Sequence, residues 1–292
     1  MKVLVTGGSG FLGSHVADAL TSAGHEVTIF DRQPSPWLQS GQRFVEGDLE
    51  SESSLEEALQ GQEAVYHFAA LADLDQCVNQ PILAAQLNVM GSIRLAERCL
   101  ALGIRRFLFG STVYVYSRSG SFYRASKQAA ETFLEEFQEQ EGLELTILRY
   151  GSLYGPRAGA NNSIGKLLGQ AWEHGRIVYH GTGEERREFI HVLDAARASV
   201  EALQSQYAGT CLTLTGPEVY RYHEILELLQ EMWPTPLTVE LQPSERKAHY
   251  HLTPYQYAPR SGQKLIVNPF TDLGQGLLDC LNEMQQRKNH AH

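Results

Sequence analysis

The sequence predicts an α/β fold, with a doubly wound parallel sheet and a smaller, interleaved C-terminal lobe. Strand-like and helix-like segments alternate from residue 2 to about residue 150 of the 292 residues, as in right-handed crossovers around a parallel sheet. A glycine-rich turn directly follows the first strand, and after Gly155-Pro156 the pattern becomes irregular. We therefore expect a first domain over residues 1–155 and a second lobe over residues 156–292, with segments near 188–215 returning to the first domain.

The predicted elements follow one another at short intervals. Strands are expected at Lys2–Val5, Val27–Phe30, Phe44–Asp48, Ala64–Phe68, Arg106–Gly110 and Leu145–Tyr150, with a later sheet strand at Thr210–Thr215. Helices are expected at Phe11–Ala23, Ser53–Leu59, Ile82–Leu100 and Tyr123–Glu139. Apolar residues of the first helix recur at a spacing of three to four, and Gly24 is placed to cap its end. Ligands of such sheets bind beyond the carboxyl ends of the strands, so functional residues are expected there.

The turn between the first strand and the first helix predicts a dinucleotide site. Residues 6–13 read Thr-Gly-Gly-Ser-Gly-Phe-Leu-Gly. Gly7 and Gly10 permit backbone dihedrals and a close ligand approach that side chains would prevent. The amides at the helix start, with Phe11 and Leu12, face outward at the positive end of the helix dipole, where a pyrophosphate fits. This pattern is typical of a Rossmann-type domain.

Asp31 ends the second strand about 20 positions after these glycines, as in dinucleotide-binding domains. A carboxylate there accepts a hydrogen bond from the adenosine ribose 2′-hydroxyl and repels a 2′-phosphate, which favours NAD. Arg32 keeps NADP open as the alternative, because a guanidinium beside the ribose can accommodate that phosphate.

Tyr123 and Lys127 lie four residues apart at the start of a predicted helix, so they share one face. A neighbouring ammonium lowers the pKa of a phenol from its ordinary value of about 10. The pair therefore predicts a tyrosine general base. Thr112 ends the fifth strand, where its hydroxyl can bind the same substrate oxygen. Asn88 lies inside a helix, which is unfavourable for an amide without a network role, so we expect it to order the site through hydrogen bonds.

Composition excludes several other classes of protein. The net charge of −10 argues against a nucleic-acid binder and means that an anionic substrate needs local arginine side chains. No apolar stretch is long enough to span a membrane and the first strand begins at residue 2, so we expect neither signal peptide nor membrane span, and a cytoplasmic location. The four cysteines lie far apart, which indicates free thiols, and no histidine spacing predicts a metal site.

Ten motifs occur in order along residues 1–200. They are Thr6–Gly13, Asp31, Gly47-Asp48-Leu49, His67-Phe68-Ala69-Ala70, Asn88-Val89-x-Gly91, Ser111-Thr112-x-x-Val115-Tyr116, Tyr123-x-x-x-Lys127, Arg149-Tyr150, Tyr154-Gly155-Pro156-Arg157 and Arg187-Glu188-Phe189-Ile190-His191-Val192-x-Asp194. In these motifs the chain resembles the extended short-chain dehydrogenases/reductases, specifically the NAD-dependent epimerase/dehydratase branch that acts on nucleotide sugars.

The resemblance implies a role for each matching residue. It makes Thr112, Tyr123 and Lys127 catalytic, with Asn88 ordering the site. It assigns to the cofactor Asp48, Leu49, Phe68, Ala69, Ala70, Leu71, Asn88, Tyr123, Lys127 and Tyr150. It assigns to the substrate Thr112, Tyr123, Ser152 and Arg187, the last of which would meet the substrate diphosphate. It also implies a homodimer formed through a four-helix bundle of residues 82–100 and 123–139.

The chain departs from the family pattern at three points. Only six residues separate Tyr116 from Tyr123, where the family carries a longer substrate-side loop, and Ser152 replaces a common asparagine. Val113 and Tyr114 follow Thr112, where the 4,6-dehydratases have an Asp–Glu pair and the decarboxylases a Glu at the second position. We therefore expect C4 epimerisation of a nucleoside-diphosphate hexose through a transient keto intermediate. The alternatives are an NAD(P)-dependent keto-sugar reductase or dehydrogenase and a non-catalytic dinucleotide-sensing protein.

Overall fold

The structure, a computed structural model, describes residues 1–117, 119–159, 162–242, 263–265 and 268–290. The strands are β1 (Lys2–Thr6), β2 (Glu26–Asp31), β3 (Arg43–Glu46), β4 (Ala64–His67), β5 (Arg106–Thr112), β6 (Glu144–Tyr150), β7 (Ser152–Tyr154), β8 (Arg176–His180), β9 (Arg186–Arg187), β10 (Phe189–His191), β11 (Thr210–Leu214), β12 (Tyr220–Arg221), β13 (Thr238–Gln242) and β14 (Gln263–Lys264). The helices are α1 (Phe11–Ser22), α2 (Glu52–Leu59), α3 (Leu74–Asn79), α4 (Pro81–Ala85), α5 (Gly91–Ala101), α6 (Ser121–Glu141), α7 (Ser163–His174), α8 (Val192–Glu201), α9 (Tyr222–Met232) and α10 (Leu273–His290).

The central sheet is parallel and doubly wound, as the sequence predicts. In the described residues it has eight strands in the order β14-β11-β6-β5-β4-β1-β2-β3. The chain starts in the middle, runs outward from β1 to β3, and returns through β4 on the other side of β1. The strand order therefore reverses between β1 and β4, which is the place where such sheets bind ligands.

Helices cover both faces of this sheet. Val3 and Val5 of β1 face one cluster with Leu20 of α1 and residues of α8. Leu4 faces the opposite cluster, which includes Leu134 of α6 and residues of α2 and α5. Successive strand residues point to opposite faces, so a run of apolar residues such as Val3–Val5 serves both layers of helices.

The C-terminal part builds a third apolar cluster, from residues of α7, α9 and α10. Three two-stranded sheets flank it, pairing β7 with β10, β8 with β13 and β9 with β12. Strand β11 leaves this part and pairs with β6 in the central sheet. The domain boundary at residue 155 stays a prediction. Within the described residues no helix is long and apolar enough to cross a membrane.

The segment Ile82–Leu100 is helical throughout, as predicted, but it is not an α-helix along its whole length. The segment consists of α4, a π-helical turn over Gln86–Met90, and α5. Apolar periodicity is too similar in the two helix types to reveal this turn, which is a feature common at functional sites. Helix α3 is a further difference from the predicted elements, and Asp73 caps it by accepting a hydrogen bond from Gln76 N at 2.8 Å.

Candidate active site

A cavity of about 420 Å³ runs along the carboxyl ends of the central strands. It extends from β3 to β6, which are five strand spacings or roughly 24 Å apart, long enough for an extended dinucleotide. It is lined by these predicted site residues: Gly7, Gly10, Phe11, Leu12, Asp31, Arg32, Asp48, Leu49, Phe68, Ala69, Ala70, Thr112, Tyr123, Lys127 and Tyr150. Four predicted residues, Leu71, Asn88, Ser152 and Arg187, are not among its lining residues.

The glycine turn forms a cradle that side chains would fill. Gly7 has a φ of +71°, and a Cβ there would lie 2.6 Å from the amide nitrogen of Ala69. A Cβ on Gly13 would overlap the carbonyl of Gly7. The amide of Ser14 donates to the carbonyl of Gly10, so the preceding amides at the start of α1 point toward the cavity. This arrangement fits a dinucleotide diphosphate.

Asp31 and the turn hold each other in place. Its Oδ2 accepts a hydrogen bond from Ser9 N at 3.0 Å, and its Oδ1 accepts one from Arg32 N at 2.8 Å. A carboxylate has about four acceptor positions, so capacity remains for a ribose diol. The Arg32 side chain is exposed. The fixed carboxylate fits NAD at this end of the cavity.

Tyr123 and Thr112 meet at the opposite end of the cavity, above β5. The Thr112 hydroxyl hydrogen-bonds the Tyr123 phenol and also accepts from Tyr114 N at 3.3 Å. Burial raises the pKa of Tyr123 above its usual value, the Cys77 thiol adds to the rise, and the bond to Thr112 opposes it. Desolvation of the phenol dominates this pKa in the protein alone, and the lowering expected from Lys127 stays a prediction.

Lys127 lies beneath the same end of the cavity and is 3% exposed. Its Nζ donates to the carbonyl of Gly110 at 2.7 Å and lies 4.4 Å from the ring centroid of Phe109. Burial lowers the pKa of Lys127 to about 8, although the Glu131 carboxylate opposes the shift. One carbonyl and one aromatic ring thus hold the ammonium group, and its pKa lies close to neutral pH.

Asn88 makes the kind of network expected of a buried amide. Its Oδ1 accepts from Leu71 N at 2.7 Å, and its Nδ2 donates to Leu71 O at 3.0 Å and to Ser126 Oγ at 2.9 Å. It therefore fixes the loop after β4, and with it Leu71, against helix α6. Both residues lie behind the wall of the cavity, so their predicted contact with the cofactor stays a prediction.

Glu131 is a buried residue that sequence reasoning missed. Its carboxylate accepts from Arg149 at 3.0 Å and 2.7 Å and from Ser111 Oγ at 2.5 Å. Glu131 follows Lys127 by four residues on α6, and this spacing is the signal that could have found it. Arg149 also donates to the hydroxyl of Tyr116 at 2.9 Å, so the ends of β5 and β6 are joined to the middle of α6.

Two of the four predicted substrate residues, Ser152 and Arg187, are not among the residues that line the cavity. Arg187 is 4% exposed, donates to the carbonyl of Arg186 at 2.8 Å, and places its guanidinium 5.6 Å from the ring centroid of Tyr222. Ser152 is half-buried, and its amide donates to Glu188 O at 3.1 Å. Their contact with a substrate stays a prediction.

Comparison with known proteins places the chain in a family. The model of the NAD dependent epimerase/dehydratase family matches residues 3–213. The chain belongs to this family. The UDP-glucose 4-epimerase of Corynebacterium glutamicum is 29% identical over 315 residues, covering 94% of this chain and 92% of that protein.

Other members of similar identity carry out different reactions. UDP-glucuronic acid decarboxylase 1 of Arabidopsis thaliana is 25% identical over 316 residues, covering 98% of this chain and 70% of that protein. The solved structure of MoeE5 in complex with UDP-glucose and NAD has a TM-score of 0.86 and 25% identity, covering 99% of this chain and 100% of that one. Further relatives are dTDP-glucose 4,6-dehydratases. Family membership thus supports NAD-dependent modification of a nucleotide sugar and does not select the reaction.

Proposed function

We propose that this protein is an NAD-dependent nucleotide-sugar epimerase that inverts C4 of a nucleoside-diphosphate hexose through a transient keto intermediate. The observation that carries the proposal is the composition of the Tyr123 end of the cavity. Val113 there is 2% exposed, and the ring of Tyr114 lies edge-on to that of Tyr123 at 6.5 Å. Among the cavity-lining residues that the structure describes, the carboxylates are Asp31 and Asp48, which belong to the distant β2 and β3 end.

This composition supports proton and hydride transfer without elimination. By the family resemblance, the 4,6-dehydratases have an Asp–Glu pair at the two positions after the threonine and the decarboxylases have a Glu at the second, whereas here a buried valine and a tyrosine occupy these positions. Removing water across a carbon–carbon bond needs an acid and a base besides the group that takes the hydroxyl proton. Epimerisation needs only one such group.

Each residue has one task in this reaction. Bound NAD supplies a hydride acceptor and, once reduced, a hydride donor. Tyr123 takes the proton of the sugar hydroxyl at its phenolic oxygen and later returns it. Thr112 hydrogen-bonds the phenol and would contact the same sugar oxygen. Lys127 supplies positive charge that favours the phenolate, and Asp31 selects NAD over NADP.

The substitution Tyr123→Phe tests the assignment. Removing the proton acceptor should lower turnover by about 10²- to 10⁴-fold, while NAD binding, measured by calorimetry, stays within twofold of wild type. Tyr66→Phe is the matched control. The buried hydroxyl of Tyr66 donates to Ser199 O at 2.8 Å, and Tyr66 is not among the residues that line the cavity. Turnover of Tyr123→Phe within threefold of the wild type would contradict the proposal.

Incubation with UDP- and dTDP-hexoses separates the candidate functions. An isomerised product at constant NADH absorbance supports the epimerase. A stoichiometric change in absorbance indicates the keto-sugar reductase or dehydrogenase instead. NAD binding without turnover of any sugar indicates the dinucleotide-sensing protein. The same experiment with Arg187→Ala tests the contact with the substrate diphosphate. Loss of this contact should raise KM at least tenfold.

We also propose a homodimer. Phe133 on α6, Ile82 on α4 and Met90 in the π-helical turn are 49%, 74% and 45% exposed. These segments neighbour one another on the molecule. Apolar side chains exposed together favour burial against a second copy, as the family resemblance implies.

A further inference from the structure

His67 lies at the end of β4 and has no task in the mechanism above. Its ring is 1% exposed, yet both nitrogens have partners. Nδ1 lies 2.7 Å from Thr6 Oγ1, and Nε2 lies 2.9 Å from Ser92 Oγ. Thr6 ends β1 immediately before the glycine turn, and Ser92 lies at the start of α5. The imidazole therefore bridges the cofactor turn and the helix that follows Asn88.

The neighbouring hydrogen bonds fix which nitrogen carries the proton. Ser92 Oγ donates its single hydrogen to the carbonyl of Asn88 at 2.7 Å, so it must accept from His67 Nε2–H. Nδ1 is then an acceptor and takes the hydroxyl hydrogen of Thr6. The Thr6 oxygen in turn accepts from the amide of Ala69 at 3.3 Å. Burial, with the Lys127 charge adding to it, lowers the pKa of His67 to about 3, so the ring stays neutral.

The chain of hydrogen bonds continues to the catalytic helix. Asn88 Nδ2 donates to Ser126 Oγ at 2.9 Å, and Ser126 Oγ donates to the carbonyl of Tyr123 at 2.9 Å. From the amide of Ala69 to the carbonyl of Tyr123, every hydroxyl accepts one hydrogen and donates one. A chain of this kind, with each member satisfied on both sides, is rigid and stabilises one geometry.

We propose that neutral His67, as the Nε2–H tautomer, is a positioning residue for Tyr123. It anchors the π-helical turn to the end of β1, and that turn holds Asn88 against Ser126 in the second turn of α6. His67 is not among the residues that line the cavity, and it acts through Asn88. The activity arm of its test rests on the proposed epimerase function, whereas the tautomer arm does not.

Nitrogen-15 NMR of histidine-labelled protein tests the tautomer directly, with His67→Gln identifying the signal. The wild-type ring should show a protonated Nε2 and an unprotonated Nδ1, with no titration between pH 5 and 9. A protonated Nδ1, or titration in this range, would overturn the proposal whatever the enzyme's activity. This NMR test does not depend on turnover of any sugar.

Ser92→Ala tests the positioning role, because it removes the link to Asn88 without changing a residue that lines the cavity. We expect kcat to fall about tenfold, the effect of one lost hydrogen bond, with KM and NAD affinity within twofold of wild type. Ser92→Thr keeps the hydroxyl and should restore kcat to within threefold.

Thr21→Ala is the matched control. The Thr21 hydroxyl also donates to the carbonyl four residues back, Ala17 O at 2.8 Å, and accepts from a side-chain nitrogen, Gln42 Nε2 at 3.0 Å. Its loss should leave kcat unchanged. Equal kcat for Ser92→Ala and wild type would overturn the positioning role. If the wild-type protein turns over no sugar, the proposed function is rejected, and the nitrogen-15 NMR experiment alone decides on the His67 proposal.

Discussion

Glu131 gives the most quantitative test of how the site is held together. The substitution Glu131→Gln keeps the size of the side chain and removes its charge. Glu131 and Arg149 are 3% and 4% exposed and form a bidentate pair. A glutamine can still accept one hydrogen bond, but its NH₂ group faces an Arg149 donor. An arginine charge left without its partner in the interior costs about 3–5 kcal/mol, so we expect the free energy of unfolding to fall by that amount.

Urea unfolding monitored by circular dichroism measures this loss, and two further variants calibrate it. Glu57→Gln breaks the surface pair with Arg43, whose side chains are 63% and 52% exposed, and should cost no more than about 1 kcal/mol. The double variant Glu131→Leu/Arg149→Met removes both charges and should recover most of the loss, because no buried charge remains unpaired. Glu131→Gln within about 1 kcal/mol of wild type, or a double variant less stable than the single one, would refute the reasoning.

Three further changes test other parts of the site. Asp31→Asn keeps the shape but removes the charge, so calorimetry should show NAD affinity falling and the NAD-to-NADP preference dropping at least tenfold; an unchanged preference would reject its selective role. Lys127 has a folded-state pKa of about 8, below that of the unfolded chain, so the unfolded state binds more protons between pH 8 and 10.5. Wild-type stability should therefore rise across this range by up to about 3 kcal/mol relative to Lys127→Met, and parallel pH profiles of unfolding would contradict the shift. Light scattering should show a dimer that Phe133→Glu converts to a monomer, and a monomeric wild type would exclude the dimer.

The strands and the cofactor turn could be predicted because their signals are local. The strands β1, β2, β4, β5 and β6 contain short apolar runs, and a parallel sheet buried on both faces requires such runs. The glycine turn is likewise fixed by neighbours within a few residues. The contacts of Asn88 in the π-helical turn could not be predicted, because its partners Leu71 and Ser126 are far away in sequence.

The same limit explains the missed residues. The spacing after Lys127 places Glu131 on the buried face of α6, but its pairing with Arg149 requires the position of β6. His67 occurs in a recognisable motif, but its bonds to Thr6 and Ser92 join β4 to β1 and α5. Sequence patterns thus identify the groups that touch a ligand more readily than those that hold these groups in place.

The pKa of Tyr123 shows why spacing alone is insufficient for chemistry. A lysine four residues away favours a phenolate, but burial raises the pKa of Tyr123 and lowers that of Lys127. Both pKa shifts disfavour the charged forms of Tyr123 and Lys127. Each ion loses hydration free energy on burial, and attraction to the other ion does not offset this loss. A phenolate in this site therefore needs positive charge beyond that of the chain. Oxidised nicotinamide is a cation, so Tyr123 would become an effective base only with the cofactor in its oxidised form, the form that is able to accept a hydride.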